Sequence, residues 1–142
     1  MDAGQDIRIG TQLPERRITA VSAEHIKQVA LILRDPNPIH FDLAALAQAG
    51  LGDREVNQGG TTMAYVLDLV TEWSGSRTAL RSITCSFRAN VFAGDDVTVG
   101  GDVTAVSPAD GGLLVECALW AEADGRRAIA GSATVVLPSR GA

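Results

Sequence analysis

The stretch RDPNPIHFD, Arg34 to Asp42, gathers groups that can move protons. Asp35 and His40 flank a short segment that carries Pro36 and Pro38. Each proline fixes its own φ and pushes the residue before it out of the helical region, so the link between the two side chains is stiff. A stiff link lowers the entropy lost in holding a carboxylate and an imidazole in one geometry. Such a pair can share one water. The carboxylate takes a proton from it, and the imidazole, with an ordinary pKa of about 6.5, exchanges another. The same composition also suits a plain turn in which Asp35 satisfies nearby backbone amides. On this segment alone both readings stand.

A second segment bears on the choice. In NQGGTTM, Asn57 to Met63, Gly59 and Gly60 directly precede a helical pattern. Glycine lets a ligand come close to the backbone. A helix start presents free N–H groups and partial positive charge, suited to a carbonyl oxygen that becomes negative during reaction. Alternatively the two glycines only turn the loop into the helix. Together, an acid–base pair and a potential oxyanion hole beside an apolar helix suggest proton transfer next to a carbonyl, on an apolar substrate.

Other chemistries find less support. Cys85 and Cys117 are the only cysteines; they lie far apart, without CxxC spacing, and read as reduced core thiols. Neither lies near the Asp35–His40 turn in sequence, so nucleophilic catalysis there is not indicated. With two histidines and no spaced Cys/His cluster, no metal site is expected, and His25 reads as a solvated helix residue. Net charge is −5 with no basic run, which argues against nucleic acid as a partner. No apolar run is long enough for a membrane span. The polar, acidic start MDAGQDIRIG does not read as a signal peptide, so a cytoplasmic protein is expected.

The elements that must position these residues follow from periodicity. The 142 residues, 46% hydrophobic and 20% charged, suit one globular domain, 1–142, with its core at about 7–137. Residues 1–12 read as a loose lead-in, followed by an extended piece with Ile18 and Ala20 on one face. Ser22 is placed to cap a helix whose apolar stripe is Ile26, Val29, Ala30 and Leu33. After the proline turn, Asp42 caps a short helix that ends before Gly50. The longest helical pattern is TTMAYVLDLVTEWSG. Met63, Val66, Leu67 and Val70 form its buried face, and Tyr65 and Leu69 widen it.

Beyond residue 79 the period becomes two, with Ile83, Cys85, Phe87, Ala89 and Val91 on one face. Strands are expected in VTVGGDVTAVS, with a bulge or bend at its glycine pair, in LLVECALWAEA and in RAIAGSATVVLP. Turns at PADGG and DGR join them. Helices come first and an antiparallel meander second: an α+β fold with one long buried helix packed on a sheet.

In these segments the chain resembles the MaoC-like, (R)-specific enoyl-CoA hydratase family. Asp35-Pro36-Asn37-Pro38-Ile39-His40, with Asp42 following, is the most specific part of the match. GGTTM opening a helix and Phe87, Arg88, Gly94 and Asp95 add to it. The resemblance implies a hot-dog fold, a long helix wrapped by a curved antiparallel sheet. It implies Asp35 and His40 as the catalytic pair and the Gly59 amide as oxyanion donor. Asn37, Pro38, Gln58 and Gly60 would shape the site.

The implied reaction adds water across a trans-2-enoyl thioester, or removes it from a (3R)-hydroxyacyl thioester. CoA or a carrier protein would be the handle, with no further cofactor. Arg88 is the position from which a guanidinium would meet CoA phosphates. The sequence departs from the family where Leu33 and Arg34 replace a small residue and a glycine, where Pro36 replaces a non-proline, and where Gln58 replaces a histidine. Two other readings have features in their favour. A hot-dog subunit could depend on a more active partner. A hot-dog thioesterase would use a carboxylate on the long helix, where Asp68 and Glu72 lie. A small sheet with open edges is expected to pair with another copy, as a homodimer, higher oligomer or heterodimer.

Overall fold

The computed structural model describes residues 6–138; the terminal parts of the expected 1–142 domain, including the first five residues of the polar lead-in, lie outside the described residues. Five strands form one antiparallel sheet in the order β1-β3-β4-β5-β2. They are β1 (Gln12–Ile18), β2 (Leu80–Phe87), β3 (Val97–Ala109), β4 (Gly112–Ala123) and β5 (Arg126–Pro138). Three α-helices precede β2: α1 (Ala23–Leu33), α2 (Leu43–Gln48) and α3 (Gly59–Ser74). Helix α3 packs against all five strands, so the sheet wraps it.

Helix α3 is central because of its side chains. Val66, Leu69, Val70 and Trp73 are buried at helical spacing and join Val97, Val99, Val115 and Ile129 of the sheet in one core. Leu69, expected only to widen the apolar surface, is fully buried, whereas Met63 and Leu67, expected in the buried face, are half-buried. The helix also begins earlier than its apolar pattern, since Gly59 and Gly60 form its first turn. Gly75 ends it at φ 81°, with its amide on the Thr71 and Glu72 carbonyls, a left-handed stop that glycine adopts without steric cost.

Ser22 caps α1 through the His25 amide, and Asp42 caps α2 through the Ala44 and Ala45 amides. Ile26 and Ala30 of α1 are buried, but Leu33 is exposed, as are Leu31 and Ile32. α1 also packs against the Pro38–His40 turn. Ala20 is not on a strand face; it lies outside β1 with φ 48°.

The hairpins follow their turn residues. Asp124 and Gly125, both at positive φ, join β4 to β5. The irregularity expected at Gly100 and Gly101 lies in the pairing with β1, where the register slips between Leu13, opposite Gly101, and Arg16, opposite Val99. The β3–β4 register runs unbroken from Val97 to Val103 and shifts only between Val103 and Ala105. The glycines make room: a Cβ on Gly100 would collide with the Trp120 ring, and one on Gly101 would lie 2.6 Å from the Ala118 carbonyl. The period-two pattern ends sooner than expected. β2 stops at Phe87, and its inward residues Ile83 and Cys85 are only half-buried because β2 is an edge strand. Among the described residues no helix is long and apolar enough to cross a membrane.

Candidate active site

Arg34 closes α1 in a left-handed conformation, φ 52° and ψ 41°, with its amide on the Ala30 and Leu31 carbonyls. The family pattern places a glycine here, and the geometry supplies the reason: this is a C-cap where a Cβ is disfavoured. The Arg34 side chain makes no ion pair with the described residues; it lines a cavity beside Asp35. The Asp35 amide then donates to Ala30 O at 2.9 Å, and the chain leaves the helix.

The following turn is held at each residue. Asp35 Oδ1 accepts from the Asn37 amide at 3.0 Å, and Asn37 Oδ1 accepts from the Ile39 amide at 3.3 Å. Pro38 takes the first position of a single 3-10 turn, Pro38–His40, where its missing N–H costs nothing. The turn brings His40 Nε2 to 3.3 Å from Asp35 Oδ2. His40 is buried, whereas the Asp35 side chain is 31% exposed.

The other imidazole nitrogen fixes the chemistry. Nδ1 lies 2.6 Å from the Val56 carbonyl, which can only accept, so Nδ1 carries a proton. Nε2 is then the nitrogen without a hydrogen in the neutral ring, and it is the one facing Asp35. Val56 also donates its amide to Ile39 O at 3.0 Å, so one residue clamps both the turn and the ring. No sequence pattern could reveal this partner, because a backbone carbonyl has no residue signature.

Val56 is held in turn. It bridges to Phe92, the Asn57 amide donates to Val91 O at 2.7 Å, and Ala93 donates to Glu55 O at 2.8 Å. The 91–95 segment is anchored on Asp95, which is wholly buried. Its two oxygens meet Arg54 and Arg126 at 2.7 Å each, and one also accepts from the Phe92 amide. Burial pushes the Asp95 carboxyl up, but the Phe92 amide and the Arg54 guanidinium outweigh that and hold it below the usual range. The Gly-Asp pair of the family pattern marked this position without disclosing its role.

Gly59 starts α3, and Gln58 before it makes no side-chain cap, so the first-turn amides are left without that partner. Gly59 lines a cavity of about 260 Å³ together with Ile39, His40, Val56, Asn57 and Thr62, and with Phe87 across from it. A Cβ on Gly59 would sit 3.3 Å from the Phe87 ring. The expected site residues therefore divide. Asp35, Asn37, Pro38 and His40 share one turn, and His40 and Gly59 share one cavity. Gly60 faces open space. Gln58 is buried facing away, donating from Nε2 to Ile26 O at 2.8 Å, so it ties α3 to α1 rather than forming the cavity wall. Arg88 is exposed between Phe87 and Ala89 and is not part of the wall.

On the other side of the pair, Asp35 borders a second cavity of about 470 Å³, lined by Ala30, Leu31, Pro36 and Phe41 with Lys27 and Arg34 at its edge. His40 thus borders a small cavity of mixed polarity, and Asp35 borders a larger apolar one. Asp68 is exposed, and Glu72 is paired with Arg16, so neither carboxylate of α3 reaches these cavities. Burial pushes the Cys117 thiol up to about 11 and raises that of Cys85, consistent with packing rather than nucleophilic roles.

Comparison with known proteins decides the family. A family model described as a MaoC like domain matches residues 5–116. The chain belongs to the MaoC-like domain family. It is 32% identical over 108 residues to the 3-oxo-4,17-pregnadiene-20-carboxyl-CoA hydratase beta subunit of Mycobacterium tuberculosis, a match covering 76% of this chain and 81% of that protein. Among solved structures, an (R)-hydratase from A. caviae involved in PHA biosynthesis superposes with a TM-score of 0.80 at 23% identity, covering 95% of this chain and 100% of that one. The ChsH1-ChsH2 complex from Mycobacterium tuberculosis gives 0.78 at 24%, covering 92% of this chain and 98% of that one. These likenesses show the hot-dog fold for this MaoC-like domain.

Proposed function

We propose that this MaoC-like protein is an (R)-specific enoyl-thioester hydratase, or in reverse a 3-hydroxyacyl-thioester dehydratase, acting on a CoA or carrier-protein thioester without a further cofactor. The observation that carries the reading is the His40 Nε2 to Asp35 Oδ2 approach, with Nδ1 locked on Val56 and Gly59 in the same cavity. The hydratase name of the M. tuberculosis relative supports the reaction class.

In the forward direction one water sits between the pair. Asp35 accepts a proton from it, and the resulting hydroxide adds to Cβ. Protonated Nε2 gives its proton to Cα, and the Gly59 amide donates to the thioester oxygen as it takes on negative charge. Asp35 then holds one extra proton and His40 one fewer; transfer across their 3.3 Å contact restores the pair. Water is consumed and no net proton is released. The thioester belongs on the His40 side, beside the Gly59 amide, and the acyl chain on the more apolar Asp35 side.

A partner-dependent subunit is the second reading. It is favoured by the exposed Leu31, Ile32, Leu33, Phe41 and Leu43 near the pair and by the open β2 edge. In that reading a second copy or a related subunit covers this surface.

The test follows loss of the enoyl-thioester absorbance with short and medium trans-2-enoyl-CoA, with free thiol monitored in parallel. The absorbance should fall without thiol release, and Asp35→Ala and His40→Ala should each slow it at least about a hundredfold. Thiol release, or variants as fast as the parent protein, would overturn the reading. Activity that appears only on adding a partner subunit would establish the second one.

A further inference from the structure

Lys27, Ala30, Leu31 and Arg34 follow one another at helical spacing and line the cavity of about 470 Å³ as one stripe of α1 and its cap. Ala30 and Leu31 stand between two cations, and Pro36 and Phe41 add apolar surface from the turn that follows. The volume falls in the roughly 300–1,000 Å³ range of ligand pockets. An occupant made of hydrocarbon alone would leave the charge at this edge unused.

The two cations are not alike. Lys27 has Glu24 at 3.8 Å and Glu55 at 3.7 Å, so the protein itself meets its charge. Arg34 is exposed and makes no ion pair with the described residues. Asp35 is the one carboxylate in the lining, and it is committed elsewhere, Oδ2 to His40 and Oδ1 to the Asn37 amide. Arg34 also holds a left-handed backbone, φ 52°, which costs free energy that a glycine would avoid. Strain of this kind gathers at ligand contacts. A guanidinium presents its donors as a planar fork, the shape that a carboxylate accepts with both oxygens.

We propose that Arg34 selects acyl groups that carry a second, distal carboxylate, so that the substrates are monothioesters of unsaturated dicarboxylic acids. This rests on the hydratase reading for the reaction and for the place of the acyl chain, and adds the substrate class. A phosphate of the handle would suit the same guanidinium, but the handle leaves from the His40–Gly59 side, whereas Arg34 lies among the apolar walls on the Asp35 side.

The test uses N-acetylcysteamine thioesters, which carry no phosphate. trans-2-Enedioyl monothioesters of six, eight and ten carbons are compared with their terminal carboxamides, which match them in size without the charge. At one or more of these lengths the parent protein should show a kcat/KM about fivefold or more higher for the acid. In Arg34→Gly, which suits the left-handed backbone, that ratio should fall to one or below, since the carboxylate then enters an apolar cavity without a partner. No preference for the acid at any length overturns the assignment. So does a preference that Arg34→Gly leaves unchanged, including equal loss on acid and amide, which would place the arginine in the fold or in a subunit contact.

If no thioester is hydrated, the hydratase reading fails by itself, and calorimetric titration of the saturated diacid monothioesters and their carboxamides decides the substrate class. Tighter binding of the acid, lost in Arg34→Gly, supports Arg34 as its reader; equal or absent binding overturns it.

Discussion

Asp95→Asn removes one negative charge from a wholly buried position while keeping size and shape. In the parent protein its oxygens take Arg54, Arg126 and the Phe92 amide. An asparagine offers one oxygen and one NH2 group, so at least one of these donors faces another donor. Losing one partner of a buried charge network costs about 3–5 kcal/mol. Both arginines are more than a third exposed and recover some hydration, which brings the expectation to about 3 kcal/mol. That is a large share of the roughly 5–15 kcal/mol that holds a domain folded.

The pH dependence separates charge from packing. The folded carboxyl is held below its unfolded value of about 3.9. Its stabilisation is therefore complete above that value and fades as pH falls through the lower folded value. Urea titrations at neutral pH and at about pH 3 read both quantities. The parent protein should exceed Asp95→Asn by about 3 kcal/mol at neutral pH, and the gap should narrow in acid. A loss under about 1 kcal/mol, or a gap independent of pH, would refute the charge-network account.

Two further outcomes are expected. Arg34→Gly should relieve the left-handed C-cap and, after the greater unfolded freedom of glycine, stabilise by about 0.5–1 kcal/mol, read as a Tm rise of a few degrees. A lower Tm would mean that the arginine side chain contributes more than its backbone costs. Gly59→Ala places a Cβ at 3.3 Å from the half-exposed Phe87 ring, which can shift; Tm should change little while kcat falls about tenfold or more. A fully active Gly59→Ala would remove Gly59 from the oxyanion role.

What was legible in the sequence follows a physical division. Helical spacing from Ile26 to Ala30, the caps Ser22 and Asp42, and the Asp124–Gly125 hairpin are local signals, and each forms where its residues direct. The proline turn was legible for the same reason. Relations between distant segments were hidden. Val56 reaches His40 through a main-chain carbonyl, and Asp95 gathers an arginine from a loop and another from a hairpin. Leu33 kept the α1 period yet is exposed, because periodicity gives a face and not what lies against it. The Gly100–Gly101 pair marked the register slip against β1, but not that Gly100 makes room for Trp120, a residue on the neighbouring strand.

The two edges of the sheet differ in kind. β1 carries exposed Pro14, a register shift between Leu13 and Arg16, and arginines tied to Glu72 and Asp96. Proline, irregular register and charge each oppose the addition of another strand. β2 has no proline and keeps a regular ladder from Ser82 to Phe87. A sheet with one blocked and one receptive edge cannot polymerise end over end. Two copies that met through β2 would leave only the blocked edges outermost, so the asymmetry acts as a chain terminator against fibre growth.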